Sequence, residues 1–302
     1  MATEHKITPF LWFDTQAEEA AEFYTALFDG GKIHSVSRYG EGAPAPAGTA
    51  MNVTFELEGH PFIALNGGPA FQFTPAVSFL IACRTQDEVK SLWSGLSRGG
   101  APLMDLGEYP FSKLYGWTAD RYGLSWQVMF FGEREIRQRI TPTLMFVGAQ
   151  CGRAEEAIAL YASVFRNSSM GDVMRYGKDE PPDRAGTIKH AGFTLEGQEF
   201  AAMDSAYPHE FSFNEAISFL VHCASQAEVD DYWGKLSADP TAERCGWLKD
   251  RYGLSWQIVP DVLGTLLGDR DAAKAQRVMQ AMLQMTKIDI EGLKRAYDGA
   301  GG

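Results

Sequence analysis

The sequence lacks any apolar run approaching about 18 residues, so it contains no candidate transmembrane helix. Positive charge is also scarce, because 27 Lys and Arg face 39 Asp and Glu, giving a net charge of −12. An acidic surface repels phosphate backbones and anionic lipids, which argues against nucleic acid and membranes as partners. The chain begins Met-Ala-Thr-Glu-His-Lys without a signal-peptide pattern, so we predict a cytoplasmic protein.

Cysteine is scarce as well. The four cysteines are Cys83, Cys151, Cys223 and Cys245, and no two form a Cys-x-x-Cys pair. Cys83 and Cys223 follow matching segments, Ser-Phe-Leu-Ile-Ala and Ser-Phe-Leu-Val-His. We therefore predict free, buried thiols in a reducing compartment, with a catalytic cysteine as the less favoured alternative.

The chain has what a globular protein needs. Its 302 residues are 45% hydrophobic and 12% aromatic, enough for two domains with ordinary cores. An internal repeat supports two domains, because residues 116–128 return as residues 246–258 with ten of thirteen positions identical. Each copy reads as a turn, with Gly123 or Gly253 available for a positive φ, and then a strand. The strand places Leu124, Trp126 and Val128 on one face and Ser125 and Gln127 on the other.

The pattern of strand, helix and three strands occurs twice within residues 7–131. The first strand, at 7–13, precedes a helix at 17–28 that Asp14 and Thr15 would start. The second unit begins with a strand at 77–83, and Thr85 would cap its helix. The other predicted strands are 32–39, 50–57, 61–65, 101–105, 114–118 and 124–130.

Copy two repeats this order after a charged linker. We therefore predict a first domain at residues 1–131, a linker at 132–140, a second domain at 141–260 and a helical tail at 261–302. In the tail, Asp271 would cap a helix carrying Val278, Met282 and Met285, and Asp289 would cap another carrying Ile290, Leu293 and Tyr297. This tail could cover the seam between the domains or a second subunit, and the second role would make the protein a homodimer.

Several motifs carry a resemblance to a known family. Thr-Pro-x-Leu at 8–11, Ala-Leu-Asn-Gly-Gly-Pro at 64–69, Phe-Asn-Glu-Ala-Ile-Ser-Phe at 213–219 and the repeated turn look like the PhnB-like branch of the vicinal oxygen chelate superfamily. That superfamily includes glyoxalase, bleomycin-resistance and extradiol dioxygenase proteins, and the branch is often labelled 3-demethylubiquinone-9 3-methyltransferase. The resemblance implies an α+β fold with tandem vicinal oxygen chelate domains and a C-terminal helical tail. Four βαβββ units would form two cup-shaped mixed sheets, each domain folding its own two units into one cup.

In metal-using relatives the cup holds a divalent ion through His or Glu, and the resemblance identifies the matching positions here. They are Thr8 or Phe10, Thr141 or Thr143, Asn66, Asp204, Ser78, Ser218, Gln127 and Gln257. None is histidine and only Asp204 is anionic, which does not suit a tight divalent site. We therefore predict no cofactor, with a metal site at His190, Asp204 and His222 as the alternative.

Ligand binding could use charged, aromatic and amide side chains. Arg38 and Arg175 occupy equivalent strand positions and could bind a carboxylate or phosphonate, unless they are salt-bridged strand arginines. Trp126 and Trp256 are expected in the core. The predicted ligand-binding residues are Trp12, Arg38, Asn66, Trp117, Gln127, Arg175, Asp204, Trp247 and Gln257.

Three functions are compatible with these observations, and no catalytic residue is assigned. The first is a small-molecule-binding protein of the glyoxalase/bleomycin-resistance type that needs no metal. The second is a metal-dependent lyase, isomerase or dioxygenase with its site in the second domain. The third is a structural protein whose tail forms a dimer surface. The methyltransferase label lacks support, because the Gly-Gly pairs at 30–31 and 99–100 end helices, whereas S-adenosylmethionine sites usually have a Gly-rich turn that opens one.

Overall fold

The computed structural model of the protein describes residues 5–40 and 45–299. Residues 1–4, which the predicted cytoplasmic location draws on, and residues 300–302 of the predicted tail lie outside this range. The strands are β1 (Ile7–Phe13), β2 (Lys32–Arg38), β3 (Ala50–Leu57), β4 (His60–Asn66), β5 (Val77–Cys83), β6 (Ala101–Tyr109), β7 (Ser112–Ala119), β8 (Ser125–Phe130), β9 (Ile140–Val147), β10 (Ser169–Arg175), β11 (Ile188–Leu195), β12 (Gln198–Ser205), β13 (Ile217–Cys223), β14 (Trp247–Lys249) and β15 (Ser255–Pro260). The α helices are α1 (Ala17–Leu27), α2 (Gln86–Leu96), α3 (Ala154–Val164), α4 (Gln226–Leu236), α5 (Asp261–Leu267), α6 (Ala272–Leu283) and α7 (Ile290–Asp298).

The predicted helix starts are mostly confirmed. Thr85, Asp271 and Asp289 each accept a hydrogen bond from a backbone N–H in the first turn of their helix. The prediction for α1 is wrong, since its N-cap is Gln16 and no side chain of the N-cap bonds the first turn. The Oδ1 atom of Asn66 accepts from the Ala17 N–H instead, at 2.7 Å. Helix α5 had not been predicted.

The strands form two mixed sheets. The eight-stranded sheet has the order β10-β11-β12-β9-β5-β8-β7-β6. Its centre is an antiparallel pair, β5 with β9, which sets Ser78 opposite Thr143. The expectation that each copy folds its own two units into one sheet is therefore wrong. The short linker explains the difference, because it returns the chain alongside β5, where the Ala82 N–H donates to the Arg139 carbonyl at 2.9 Å.

The seven-stranded sheet has the order β14-β15-β13-β1-β4-β3-β2. Contacts divide the chain into a larger unit, residues 10–217, and a smaller unit, residues 1–9 with 218–302. The boundary falls inside β1, so Phe10 pairs with Ile63 of β4 within the larger unit. Domain boundaries at residues 131 and 141, which follow the sequence repeat, stay a prediction.

Each unit has an aromatic core on the helix-covered side of its strands. In the larger unit, the buried rings of Tyr24 and Trp126 lie 5.4 Å apart, and Phe79 lies 5.5 Å from Trp126. In the smaller unit, the buried Trp256 ring lies 5.6 Å from Phe219. The core positions predicted for both tryptophans are confirmed.

The tail completes the smaller unit. Copy two has only the three-residue β14 where copy one has the long hairpin of β6 and β7. The N–H groups of Cys245 and Gly246, next to β14, donate to the carbonyls of Met285 and Thr286 at 2.8 Å each. The tail helices close over an apolar cluster formed by Leu263, Leu266, Val278, Ile288 and Leu293. The tail therefore supplies backbone partners that a strand supplies in copy one.

All four cysteines are free, as predicted. Cys83 and Cys223 are buried, and burial raises the pKa of each thiol to about 12. Cys151 and Cys245 are only half-buried. Across residues 5–40 and 45–299, no helix is long and apolar enough to cross a membrane.

Candidate functional site

The repeated turn owes its residue pattern to a buried carboxylate. One oxygen of Asp120 accepts from the N–H groups of Tyr122 and Leu124, at 2.8 and 3.1 Å. The other accepts from Tyr24 Oη at 2.6 Å and Trp126 Nε1 at 2.9 Å. Burial raises the pKa of Asp120, and these four hydrogen bonds oppose that rise. In copy one, the Asp120 carboxylate therefore has a structural role: it joins the backbone of the turn to the side chains of Tyr24 and Trp126.

In copy two, the Asp250 carboxylate makes equivalent hydrogen bonds. Asp250 accepts from the N–H groups of Tyr252 and Leu254 and from Trp256 Nε1. Gly123 and Gly253 adopt φ values of 87° and 88°, as the turn prediction required. The strongest sequence signal in the chain is thus explained by folding.

The eight-stranded sheet has one helix-covered face and one open face. A Cβ added at Gly116 would lie 2.5 Å from the Trp93 ring of α2, so Gly116 points toward the helices. Strand alternation then turns Tyr115 and Trp117 away from them. The pairing of β7, β8 and β5 carries this orientation across the sheet, and it defines the open face. Its members include Ser78, Leu80, Tyr115, Trp117, Gln127, Thr143, Met145, Met203 and Ser205.

Burial on the open face falls from the centre to the edges. Ser78, Gln127 and Met145, on the central strands, are 2%, 8% and 3% exposed. Met174, on edge strand β10, is 55% exposed. The centre of this face is therefore shielded from solvent, whereas its β10 edge is accessible. Toward the edge, on β11, a Cβ added at Gly192 would meet no atom within 4 Å.

A buried chain of hydrogen bonds crosses the centre of this face. Tyr115 Oη donates to Gln127 Oε1 at 2.8 Å, and Gln127 Nε2 donates to Ser78 Oγ at 2.8 Å. Burial raises the pKa of Tyr115 well above its ordinary value, so the phenol stays protonated. The result is a neutral polar strip set among apolar side chains, which is the usual make-up of a small-molecule site.

Aromatic rings flank this strip. Trp117 lies opposite Gln127 across the pair β7–β8, and its Nε1 donates to Ser125 Oγ at 2.7 Å, which orients the indole. Phe111, at the tip of the hairpin, packs edge-on against Tyr115 with centroids 5.0 Å apart. Phe111 is 48% exposed. The site thus has an aromatic wall that reaches solvent.

The two strand arginines form surface ion pairs. Arg38 forms a bidentate ion pair with Glu18, with N–O distances of 2.7 and 3.0 Å. Arg175 forms the equivalent pair with Glu155, with N–O distances of 2.7 and 2.8 Å. The bond from Arg38 holds the pKa of Glu18 below its usual range. The salt-bridge alternative therefore describes both residues, and their role in ligand binding stays a prediction without support from these contacts.

Asn66 and Asp204 have matching structural roles. Asn66 accepts from the Ala17 N–H, and its Nδ2 donates to the Ala50 carbonyl at 3.0 Å. Asp204 accepts from the N–H groups of Gly152, Ala154 and Ile188. Both side chains tie a helix start to a neighbouring strand on the helix-covered side. Ligand binding by either residue stays a prediction on which our proposals do not rest.

Trp12 lies on β1 with the opposite orientation to Leu11 and Phe13, which are buried. Its Nε1 donates to the Gly68 carbonyl at 2.8 Å, and a Cβ at Gly67 would lie 2.3 Å from its ring. The loop after β4 therefore packs on the indole. The pocket-wall role predicted for Trp12 stays a prediction.

The smaller unit repeats part of the polar strip. Gln257 Nε2 donates to Ser218 Oγ at 2.9 Å, and Trp247 lies opposite Gln257 across β14–β15. The position of Tyr115 is taken by Cys245, at the offset of 130 that separates the two copies. The strip therefore has one hydrogen-bonding member fewer in copy two.

The smaller unit also contains a triad that the sequence did not reveal. His222 Nδ1 lies 3.4 Å from Asp261 Oδ1, and His222 Nε2 lies 3.2 Å from Thr8 Oγ1. If Nδ1–H donates to the carboxylate, Nε2 is free to accept from the threonine. Burial lowers the pKa of His222 and Asp261 opposes this, so a neutral imidazole is favoured. This arrangement cannot be predicted from the sequence, because Asp261 lies in helix α5, which the sequence pattern does not indicate.

The residue types do not fit the divalent metal that some superfamily members hold. Ser78, Gln127 and Thr143 offer hydroxyl and amide oxygens on the open face, where a tight site needs imidazole or carboxylate. Within the described residues, no group of three or more His, Cys, Asp or Glu could hold a metal ion. The alternative set of His190, Asp204 and His222 is thus not assembled, and no step is derived through a metal.

Three βαβββ units and a fourth that has one strand fewer form the two mixed sheets, and this arrangement defines a protein of the vicinal oxygen chelate class. The chain belongs to the 3-demethylubiquinone-9 3-methyltransferase family, whose sequence model matches residues 5–129 and again residues 138–259. The resemblance to the PhnB-like branch is thereby confirmed. No curated protein matches the chain.

Several solved structures are similar to this chain. A PhnB protein from Bacillus cereus is 46% identical over 42% of this chain and 99% of its own, with a TM-score of 0.40. A protein from Staphylococcus aureus is 32% identical over 42% of this chain and 96% of its own, with a TM-score of 0.19. A glyoxalase I mutant from Zea mays covers 85% of this chain and 95% of its own, with 10% identity and a TM-score of 0.52. At that identity the likeness to glyoxalase concerns the fold alone.

Proposed function

We propose that the protein binds a small aromatic molecule, without a metal, on the open face of its eight-stranded sheet. The observation that carries this proposal is the buried chain Tyr115–Gln127–Ser78, which is neutral and lies beside the Trp117 wall. Apolar walls supply most of the affinity in such sites, and a few placed polar groups supply orientation. The cytoplasmic location and the homodimer belong to this proposal as predictions.

The proposal predicts that bicyclic aromatic compounds such as indole, quinoline and naphthol stabilise the protein. A ligand at about one hundred times its dissociation constant adds about 2.7 kcal/mol to the free energy of unfolding. The stabilisation is measured by thermal shift and calorimetric titration, before and after dialysis against EDTA. We expect Trp117→Ala to weaken binding about tenfold, because a stacked indole is worth about 0.5–1.5 kcal/mol beyond its buried area.

Trp247→Ala is the matched control, since Trp247 occupies the same position in copy two. It should leave the affinity unchanged. The proposal would be abandoned if none of the compounds shifted the melting temperature, or if only Trp247→Ala weakened binding. One equivalent of a divalent ion in the purified protein, with binding lost on chelation, would refute its metal-free part.

A second candidate function is acyl transfer in the smaller unit, favoured by the Thr8–His222–Asp261 triad. His222 Nε2 would take the Thr8 hydroxyl proton as the threonine oxygen bonds to an ester carbonyl carbon. The leaving alcohol would take that proton as the ester bond breaks, and water would then release the acid. Asp261 would orient the imidazole throughout.

This candidate predicts hydrolysis of p-nitrophenyl acetate above the buffer rate. We expect His222→Gln and Thr8→Val each to lower the rate about 100-fold or more, because a positioned general base contributes about 10²–10⁴-fold. Thr141→Val is the control, as Thr141 lies opposite Leu80 on the other sheet, where Ala82 stands in the place of the histidine. A rate equal to buffer, or equal losses in all three variants, would eliminate acyl transfer.

A further inference from the structure

Gln127 has more hydrogen-bonding capacity than its protein partners use. A carboxamide offers two lone pairs on Oε1 and two N–H groups on Nε2. Tyr115 Oη occupies one lone pair and Ser78 Oγ occupies one N–H, each at 2.8 Å. Among the described residues, one lone pair and one N–H of Gln127 are left over.

Within the described part of the chain, Gln127 has one unused acceptor and one unused donor in either orientation of its amide. The amide has a second orientation in which Oε1 and Nε2 exchange places. The hydroxyls of Tyr115 and Ser78 can each donate or accept, so both remain satisfied if the amide is flipped. Either orientation leaves Gln127 with one free acceptor and one free donor, side by side.

Gln127 lies between its two hydroxyl partners on the sheet. Gln127 lies on β8, Tyr115 on β7 and Ser78 on β5, and β8 runs between the other two strands. The two hydroxyls therefore approach the amide from opposite sides of β8. A molecule lying on the open face beside Trp117 would meet the remaining lone pair and N–H.

Because Gln127 is buried, its unpaired lone pair and N–H raise the free energy of the folded protein unless a partner bonds to them. Gln127 is 8% exposed, and a buried polar group without its hydrogen bond costs about 1–3 kcal/mol. A bound molecule that supplies one donor and one acceptor in the same plane would satisfy both groups at once. The match is selective, because a carboxylate brings no donor for the lone pair and an amidinium brings no acceptor for the N–H.

We propose that the open face recognises a neutral cis-amide carried on an aromatic ring, such as a pyridone-type lactam, through two parallel hydrogen bonds to Gln127. The ring plane would lie against Trp117, whose indole is held by its bond to Ser125. This inference rests on the proposed binding function and names the ligand class for the same face.

The first test compares two ligands on the wild-type protein. Isocarbostyril is a bicyclic lactam with the required donor and acceptor, and N-methylisocarbostyril lacks the donor. We expect calorimetric titration to show the lactam binding at least about tenfold more tightly, because one hydrogen bond is lost and one buried group is left unpaired. No variant is needed, so the result does not depend on a mutant folding.

The second test changes the pairing pattern. Gln127→Glu replaces the donor with an acceptor, so it should weaken isocarbostyril about tenfold or more and strengthen benzamidine, which offers two adjacent donors. Gln127→Met keeps the size of the side chain without its hydrogen bonds, and it should bind the two isocarbostyrils equally. Gln86→Glu makes the same substitution at an exposed residue of α2, outside the open face, and it should leave both preferences unchanged.

The possible results separate the inference from the proposed function. Equal binding of the two isocarbostyrils to the wild type, weakened by Trp117→Ala, would overturn the amide pairing and leave aromatic binding intact. An unchanged preference in a folded Gln127→Glu protein would overturn the pairing as well. If neither compound nor the other aromatics bound, the proposed function would fail and the inference with it.

Discussion

The amide side chains of Asn66 and Gln127 have similar chemistry and different roles. Asn66 uses its oxygen on the Ala17 N–H and its nitrogen on the Ala50 carbonyl, so it fastens α1 to the sheet. Among residues 5–40 and 45–299, Gln127 meets two hydroxyls and keeps one donor and one acceptor unused. The amide group is the same in both, and the neighbours decide whether it is a structural bond or a recognition group. Sequence position alone ranked both as candidate ligand-binding residues.

Asp120 is the residue whose replacement should cost most in the repeated turn. Asp120→Asn replaces one accepting oxygen with an NH₂ group, which would face N–H or O–H donors now bonded to the carboxylate. We expect the free energy of unfolding to fall by about 2–4 kcal/mol, because buried donors lose their acceptor. Urea denaturation measures the change.

Asp105→Asn serves as the comparison, since Asp105 is exposed. It should change stability by less than about 0.5 kcal/mol. If the two variants lost similar amounts of unfolding free energy, the structural role of the Asp120 carboxylate would be contradicted.

At the scale of elements, the two copies build the same sheet edge in different ways. Copy one has the long hairpin of β6 and β7, which carries Tyr115 and Trp117 onto the open face. Copy two has the three-residue β14, and the tail bonds the backbone beside it. Phe111, Tyr115 and Trp117 all come from this complete hairpin, which is why our proposed site belongs to the eight-stranded sheet.

The approach of α2 to that sheet depends on a glycine. A Cβ at Gly116 would lie 2.5 Å from the Trp93 ring, which is closer than side chains pack, so the indole of α2 would have to shift. We expect Gly116→Ala to lower the free energy of unfolding by about 1–3 kcal/mol, as overpacked cores do. Chemical denaturation followed by tryptophan fluorescence measures it.

The matched variant is Gly192→Ala, on a strand of the same sheet, where the new Cβ meets no atom within 4 Å. It should be tolerated within about 0.5 kcal/mol. If Gly116→Ala were equally harmless, the close packing of α2 on β7 would be disproved.

At the scale of the whole molecule, the tail is part of the folded smaller unit. Its cluster buries Val278, Ile288 and Leu293 completely, and its backbone bonds Cys245 and Gly246. These contacts give the tail a role inside its own chain, so its role in a dimer stays a prediction.

This role predicts a large effect from a single core leucine. Leu293→Ala removes a fully buried side chain and should lower the free energy of unfolding by about 2–5 kcal/mol. Leu283→Ala, at a leucine that is 44% exposed in the same tail, should cost less than about 0.5 kcal/mol. Thermal and urea unfolding of both variants decides the matter, and a tail that merely rests on the surface would make the two losses alike.

Local features were readable from the amino-acid order. Strand alternation, helix periodicity and the caps at Thr85, Asp271 and Asp289 depend on residues close together in the chain, and the structure confirms them. The repeat was also visible, and with it the family. These properties follow from short-range geometry, which a sequence records directly.

Other features depended on residues far apart in the chain. The pairing of β5 with β9, the capping of α1 by Asn66 and the tail's place beside β14 arise only when distant segments meet. The same is true of the site, because Gln127 could be recognised as half-used only after Tyr115 and Ser78 were found beside it. Hydrogen-bond partners and burial are properties of the folded arrangement, and the order of residues does not record them.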